Sequence, residues 1–174
     1  MAIEVEVLED PGRACSAMLV GVAAGGGHIV LTGGSTPQVA YREFVDAVLS
    51  VGIDVSRSTM WFGDERCVPA EDSRSNYGAA KASMFDPLVD HGLPTIHRIK
   101  GELGPDAGAF DYEEVLREAG SPQFDLMLLG MGPDGHCASL FPDQASLSER
   151  SRPVVGVAEA GLEPFVPRVS MTLP

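Results

Sequence analysis

The segment "HIVLTGGSTPQVAYREF", residues 28–44, decides the fold because its hydrophobic period changes at two glycines. The run before the glycines is short and apolar, which is typical of a buried strand. The run after them carries apolar residues at helical spacing, and the predicted inward face consists of Val39, Ala40, Phe44, Ala47 and Val48. We expect Ser35 or Thr36 to cap this helix and Pro37 to lie in its first turn.

The rest of the chain continues this alternation of strands and helices. Helices are predicted over residues 11–27, 35–50, 73–85 and 106–118. Strands are predicted over residues 3–8, 28–34, 58–65, 95–100, 124–130, 152–157 and 168–173. The strand "FDLMLLG" is apolar enough to be buried on both faces. The expected fold is therefore α/β, with a mostly parallel sheet and helices on both faces, in a single domain.

Composition and charge exclude several classes of protein. The chain has 174 residues, of which 44% are hydrophobic and 21% charged, as in ordinary globular proteins. It has no apolar run of the roughly 18 residues that a membrane helix needs. The start "MAIEVEVLED" lacks the basic residues of a signal peptide, so we expect a cytoplasmic protein. A net charge of −13 argues against binding to nucleic acid or anionic membranes. Three single cysteines suit a reducing compartment, and no pair has metal-ligand spacing.

Three predicted strands end in polar, glycine-containing turns: "LTGGSTP", "WFGDERC" and "LLGMGPDGHC". Ligands of parallel α/β sheets bind in the crevice beyond the carboxyl ends of the strands. We therefore expect the three turns to converge on one crevice.

The first turn, "TGGSTP", has the features of a phosphate-binding loop. Gly33 and Gly34 let an anion approach the backbone, while Ser35 and Thr36 offer hydroxyl groups beside a helix start. The turn has neither the lysine of a Walker loop nor a third glycine, so a plain strand-to-helix turn remains the alternative.

The second turn places Asp64, Glu65 and Arg66 directly after "WF". Such a cluster can be a solvated ion pair. Alternatively, Arg66 faces an anionic ligand, because its fork of donors binds two phosphate oxygens at once, while Asp64 or Glu65 orients a polar group or the arginine. Asn76 opens the following helix and can close one side of the crevice.

The third turn holds His136 between "PDG" and "CASLF", where we expect the chain to pass from strand to helix. A neutral imidazole can accept a proton from water at cytoplasmic pH, and Asp134 can orient it. Cys137 is an alternative nucleophile, but neighbours in sequence usually point apart, so we interpret it as a packing residue. A metal at His136 is not expected, since no second ligand has a useful spacing.

Four segments resemble the 6-phosphogluconolactonases of the glucosamine-6-phosphate deaminase/6-phosphogluconolactonase family in order and spacing. They are "LTGGSTP", "WFGDERCVPAEDSRSNYGAA", "FDLMLLGMGPDGHCASLFP" and "RVSMTLP". The resemblance implies a Rossmann-like sheet and hydrolysis of 6-phospho-D-glucono-1,5-lactone to 6-phosphogluconate, the second step of the oxidative pentose phosphate pathway. It also implies that His136 is the general base, that the "TGGST" loop and Arg66 bind phosphate and sugar, and that Arg168 binds phosphate.

The family usually continues past "TLP" with a strand, a lysine-bearing segment and a closing helix. We therefore expect residues 1–174 to be a single catalytic domain that lacks this C-terminal segment, and to be a monomer or a weak homo-oligomer.

The expected mechanism is attack by a His136-activated water on the lactone carbonyl, with backbone N–H groups around Gly132 to Gly135 stabilising the oxyanion. It needs no cofactor. One alternative is a sugar-phosphate isomerase or deaminase, which needs a carboxylate base such as Asp64. The other is a non-catalytic sugar-phosphate sensor, but no DNA-binding segment is evident in the sequence.

Overall fold

A computed structural model describes residues 4–173 of the chain. Five α-helices in this part are α1 (Pro11–Gly25), α2 (Ser35–Val51), α3 (Asn76–Ala80), α4 (Asp86–Leu88) and α5 (Pro105–Glu118). Seven strands are β1 (His28–Leu31), β2 (Thr59–Phe62), β3 (Asp64–Arg66), β4 (Thr95–Ile96), β5 (Leu126–Met127), β6 (Val154–Val157) and β7 (Arg168–Met171). A π-helical segment, Lys81–Phe85, joins α3 to α4, and two 3₁₀ turns cover Gly101–Leu103 and Ala145–Ser148.

Four strands form a parallel sheet in the order β4-β2-β1-β5. The register pairs Ile29 with Met60 and with Leu126, so β1 is an inner strand. Helix α1 packs on α2 and β1, and Tyr112 of α5 accepts a hydrogen bond from the Phe62 N–H at 2.9 Å. The predicted α/β fold, with a parallel sheet flanked by helices, is confirmed.

A second sheet of three antiparallel strands, in the order β3-β7-β6, was not predicted. The segment "STMWFGDE" was expected to form one strand. Instead, Gly63 separates β2 from β3, and the two halves join different sheets. The register of the second sheet places Arg66 opposite Arg168. Helix α5 packs on β6 and β7, so it lies between this sheet and the parallel one.

Strand β5 is an edge strand, and the prediction that it is buried on both faces is wrong. It pairs with β1 alone among the described strands, and the exposed fractions of Met127 and Leu129 are 40% and 58%. An apolar run shows that a segment is hydrophobic, but it does not show how many neighbours the strand has.

Three local predictions also differ from the structure. Residues 4–8 of the predicted strand 3–8 are irregular and exposed, because no described strand pairs with them; residue 3 lies outside the described part. Helix α2 is not capped by Ser35 or Thr36, since Gly34 occupies the N-cap with a φ of 113° and both hydroxyl residues lie inside the first turn. The segment after His136 forms turns and no helix.

The inward face of α2 is rotated slightly from the predicted one. Its buried residues are Ala40, Tyr41, Phe44, Val45 and Val48, whereas Val39 is 42% exposed. Tyr41 is buried with its hydroxyl group paired, because it donates to the Thr32 carbonyl at 2.8 Å. None of the helices in residues 4–173 combines the length and apolar character needed to cross a membrane.

Candidate active site

The three glycine-containing turns meet at one cavity of about 230 Å³ beyond the ends of β1, β2 and β5. Antiparallel β7 contributes a further wall through Arg168. Eight of the residues predicted from the sequence line this cavity: Gly33, Gly34, Asp64, Arg66, Asn76, Gly132, His136 and Arg168.

The other four predicted residues do not line the cavity. Ser35 is exposed in the first turn of α2, and Thr36 lines a neighbouring apolar pocket instead. Asp134 and Gly135 lie behind His136, on the turn that carries it. Ser35 and Thr36 lie in the first turn of the helix, since Gly34 and not a serine occupies the N-cap.

His136 is held by Asp134 in the same turn. Its Nδ1 lies 2.5 Å from Asp134 Oδ1, and its ring centroid lies 4.6 Å from that of Phe141. The hydrogen bond from His136 is the largest cause of a lowered pKa for the Asp134 carboxyl group. Only 17% of the His136 side chain is exposed. Because an ionised carboxylate can only accept, the neutral imidazole carries its proton on Nδ1 and leaves Nε2 free.

The close approach of the imidazole ring to Gly132 explains why a glycine stands there. A Cβ atom at position 132 would lie 2.2 Å from Cε1 of His136. Every other amino acid would therefore displace the ring.

Backbone N–H groups around Gly132 to Gly135 were predicted to stabilise an oxyanion, and those of Gly132 and Gly135 are already engaged in hydrogen bonds of the turn. The Gly132 N–H donates to the His136 carbonyl at 2.9 Å, and the Gly135 N–H donates to the Gly132 carbonyl at 2.9 Å. Both donors are used to build the turn. The backbone N–H groups of a tight turn often donate to carbonyls of the same turn, and sequence spacing does not reveal these hydrogen bonds.

Two arginines face each other across the antiparallel pair β3–β7 at the wall of the cavity. Arg66 donates from Nη1 to the Arg74 carbonyl at 2.5 Å, and its Nε is buried without a hydrogen-bond partner. Burial, and secondarily the charge of Arg66, lower the pKa of Arg168. Like charges placed opposite each other destabilise a sheet, and the nearby carboxylates of Asp64 and Glu65 offset part of this repulsion at Arg168.

Arg168 is also fastened to the backbone of the segment that precedes β7. Its Nε donates to the Val166 carbonyl at 3.0 Å, and its Nη2 donates to the Pro164 carbonyl at 2.7 Å and to the Leu162 carbonyl at 3.4 Å. Leu162 and Glu163 line the cavity, so the guanidinium group shapes the wall from behind as well as contributing charge.

Asp64 and Asn76 form a buried hydrogen-bonded pair. Asn76 Nδ2 donates to Asp64 Oδ1 at 2.9 Å and to the Asp64 carbonyl at 3.0 Å, while Ser139 donates its hydroxyl to Asp64 Oδ2 at 2.6 Å. The Asn76 Oδ1 packs so closely on the first turn that a Cβ at Gly33 would lie 1.9 Å from it. Both carboxylate oxygens of Asp64 are thus engaged inside the protein.

Sequence reasoning missed Ser139, and it offered Glu65 only as an alternative to Asp64 for orienting a polar group or the arginine. Ser139 is 75 positions from Asp64, and no motif connects the two. Glu65 is 2% exposed and accepts four hydrogen bonds in the wall of the site. The hydrogen bonds that join Glu65 to Ser75, Asn76 and Tyr77 are tertiary contacts, which the motif "GDER" does not reveal.

Among the described residues, no group of three or more histidine, cysteine, aspartate or glutamate side chains is placed to hold a metal ion. Cys137 carries a free thiol and forms bridges with Met131 and Leu140 through its backbone. Its place in the turn agrees with a packing role.

The sequence pattern of a known family, described as glucosamine-6-phosphate isomerases/6-phosphogluconolactonase, matches residues 14–174. The chain is 39% identical over 132 residues to the 6-phosphogluconolactonase of Haemophilus influenzae, which covers 74% of this chain and 55% of that protein. It is 38% identical over 151 residues to the 6-phosphogluconolactonase of Homo sapiens, which covers 83% of this chain and 57% of that protein. The chain therefore spans little more than half the length of these curated relatives.

Solved structures give the same result. The 6-phosphogluconolactonase from Trypanosoma cruzi aligns with a TM-score of 0.80 at 25% identity, over 99% of this chain and 76% of that one. Because the family pattern extends over nearly all of the described residues, from α1 through every turn of the cavity to β7, this chain belongs to the glucosamine-6-phosphate isomerase/6-phosphogluconolactonase family.

Proposed function

We propose that the protein hydrolyses 6-phospho-D-glucono-1,5-lactone to 6-phosphogluconate, within the oxidative pentose phosphate pathway. One observation carries the proposal: an imidazole oriented by a carboxylate at 2.5 Å shares a cavity with two arginines paired across a sheet. The first arrangement suits proton transfer, and the second suits a phosphate. The relatives named 6-phosphogluconolactonase support this choice of substrate.

In the proposed mechanism His136 acts as general base. Its Nε2 takes a proton from water while the water oxygen bonds to the lactone carbonyl carbon. The tetrahedral intermediate then collapses, and the bond from this carbon to the ring oxygen breaks. The proton passes from Nε2 to the ring oxygen, which becomes a hydroxyl group. Asp134 keeps the required tautomer and stabilises the imidazolium, and the step needs no cofactor.

The proposal assigns the phosphate to Arg66 and Arg168, beside the backbone at Gly33 and Gly34. A phosphate near the two guanidinium groups would offset their mutual repulsion, which supports an anionic substrate in a chain of net charge −13. It also assigns Asp64 and Asn76 to the sugar-facing wall. The N–H groups of Gly132 and Gly135 have no part in it.

The engagement of Asp64 favours hydrolysis over isomerisation or deamination. Those reactions require a carboxylate that removes a proton from carbon; the sequence offered Asp64 for this role, and Glu163 also lines the cavity. The two carboxylate oxygens of Asp64 accept hydrogen bonds from Asn76 and Ser139, and Asp64 is only 5% exposed. A sensor remains the other alternative, and it would bind the sugar phosphate without hydrolysing it.

The proposal includes a cytoplasmic location and a monomer or weak homo-oligomer that does not bind nucleic acid. Three free cysteines and the negative net charge support it. The deciding experiment incubates the protein with freshly generated lactone and identifies the product against the spontaneous background. Accelerated formation of 6-phosphogluconate supports the proposal. An isomerised or deaminated product from a sugar or amino-sugar phosphate, or binding without turnover, would overturn it.

A further inference from the structure

Glu65 occupies a position that the proposed mechanism does not use. Its side chain is buried on β3, between the residues of the same strand that line the cavity. Its Oε1 accepts from the Arg66 N–H at 2.6 Å and from the Asn76 N–H at 2.7 Å. Its Oε2 accepts from the Ser75 hydroxyl at 2.9 Å and from the Tyr77 N–H at 2.8 Å. One carboxylate thus joins β3 to the start of α3.

The four contacts connect residues on two sides of the cavity. Arg66 follows Glu65 in the strand, and Asn76 lies ten positions further along, yet both touch the same carboxylate. The intervening segment folds back so that the Arg74 carbonyl accepts from Arg66 Nη1. Glu65 therefore ties the backbone of Arg66 to the backbone that carries Asn76.

A carboxylate in this place is costly for the fold alone. Burial is the largest cause of the raised pKa of Glu65, and it outweighs the four hydrogen bonds that favour the ionised form. Apolar replacements of buried charged groups are often neutral or stabilising. A purely structural tie between a strand and a helix does not require a charge.

We propose that Glu65 is a positioning residue which sets the spacing of Arg66 and Asn76 and so determines affinity for the phosphorylated substrate. The inference rests on the proposed function. Glu65 touches neither substrate nor reacting atoms. It holds the backbone of Arg66 and the first residues of α3, so that the phosphate-facing and sugar-facing groups lie at a fixed separation.

The test compares Glu65→Gln with Glu113→Gln, a matched change at a carboxylate that pairs with Arg152 at 2.8 Å outside the cavity. In Glu65→Gln the new side chain keeps one acceptor oxygen but presents an NH₂ group to N–H and O–H donors. We expect KM for the phosphorylated lactone to rise about tenfold or more, since the negative charge is removed and the oxygen replaced by NH₂ accepted two of the four hydrogen bonds. We expect kcat to change less than about threefold, with the pH profile of kcat unmoved and Glu113→Gln unchanged.

Two results would overturn the inference. A fall in melting temperature with KM unchanged would show that Glu65 is only structural. A fall in kcat with KM unchanged would place Glu65 in the chemical step. If Glu65→Gln does not fold, Ser75→Ala removes one of the four contacts, and the expected result is a smaller rise in KM. An unchanged KM in Ser75→Ala then counts against the inference. If the wild-type protein does not hydrolyse the lactone, the proposed function fails, and calorimetric binding of 6-phosphogluconate to wild type and Glu65→Gln decides the positioning role separately.

Discussion

The two walls of the cavity are built in different ways. The histidine wall is local, because Gly132, Asp134 and His136 interact within five residues of one turn. The arginine wall is non-local, because Arg66 and Arg168 come from strands about a hundred positions apart. A short turn can orient one side chain by itself, whereas two arginines meet in the other wall only because strands distant in sequence pair with each other.

The largest effect is expected at the local wall. His136→Ala should lower kcat for lactone hydrolysis by about 10²–10⁴-fold, because general base help is lost while the turn keeps its backbone hydrogen bonds. Initial rates corrected for spontaneous hydrolysis give the measurement. Cys137→Ser is the matched control in the same turn and should stay within about twofold of wild type. A comparable loss in the control, with protection of the thiol by substrate, would favour a thiol nucleophile.

The next largest effect is expected for Asp134→Asn. The amide can still accept from Nδ1–H but no longer stabilises the imidazolium, so kcat should fall by about 10- to 100-fold with KM within about twofold. Steady-state kinetics at several pH values give the comparison. The surface variant Asp86→Asn, which disrupts an exposed ion pair with Lys81, is the control for loss of one charge. A large rise in KM in Asp134→Asn would mean that Asp134 contacts the substrate and does not act through His136.

At the non-local wall, Arg168→Lys should raise KM for the phosphorylated lactone by about tenfold, although the charge is kept. Lysine lacks the planar fork that holds the carbonyls of Pro164 and Val166, so the segment that carries Leu162 and Glu163 loses its support. Arg150→Lys, whose guanidinium group binds only the carbonyls of Leu147 and Glu149 at the surface, should have no effect. Equal KM values for Arg168→Lys and wild type would show that Arg168 acts only through its positive charge.

The smallest effect on activity, with a measurable effect on stability, is expected for Ser139→Ala. The change leaves Asp64 Oδ2 without its partner at 2.6 Å and should lower the free energy of unfolding by about 1–3 kcal/mol. Thermal or urea unfolding measures this loss. Ser146→Ala is the control, since its hydroxyl group is buried without a partner and its removal breaks no hydrogen bond. If the two serine variants unfold alike, the link between Asp64 and Ser139 contributes nothing to the wall.

The same contrast explains what the sequence predicted. The α/β fold, the meeting of three turns and the pairing of Asp134 with His136 all follow from short-range patterns of period and spacing. The second sheet did not, because nothing in "WFGDER" indicates that Gly63 moves the chain to another set of strands. The hydrogen bond from Ser139 to Asp64 and the hydrogen bonds from Arg168 to backbone carbonyls were missed, because they form only when the chain has folded. The engagement of the Gly132 and Gly135 N–H groups could not be predicted, because a motif does not show which hydrogen bonds a tight turn forms.

The most direct measurement compares kcat/KM for the phosphorylated lactone and its unphosphorylated counterpart in His136→Ala and Arg66→Ala. If the histidine wall performs proton transfer and the arginine wall binds phosphate, His136→Ala lowers both values by a similar factor. Arg66→Ala then lowers the value for the phosphorylated lactone by about tenfold or more and leaves the other nearly unchanged. Equal losses for both substrates in Arg66→Ala would contradict this division of the cavity.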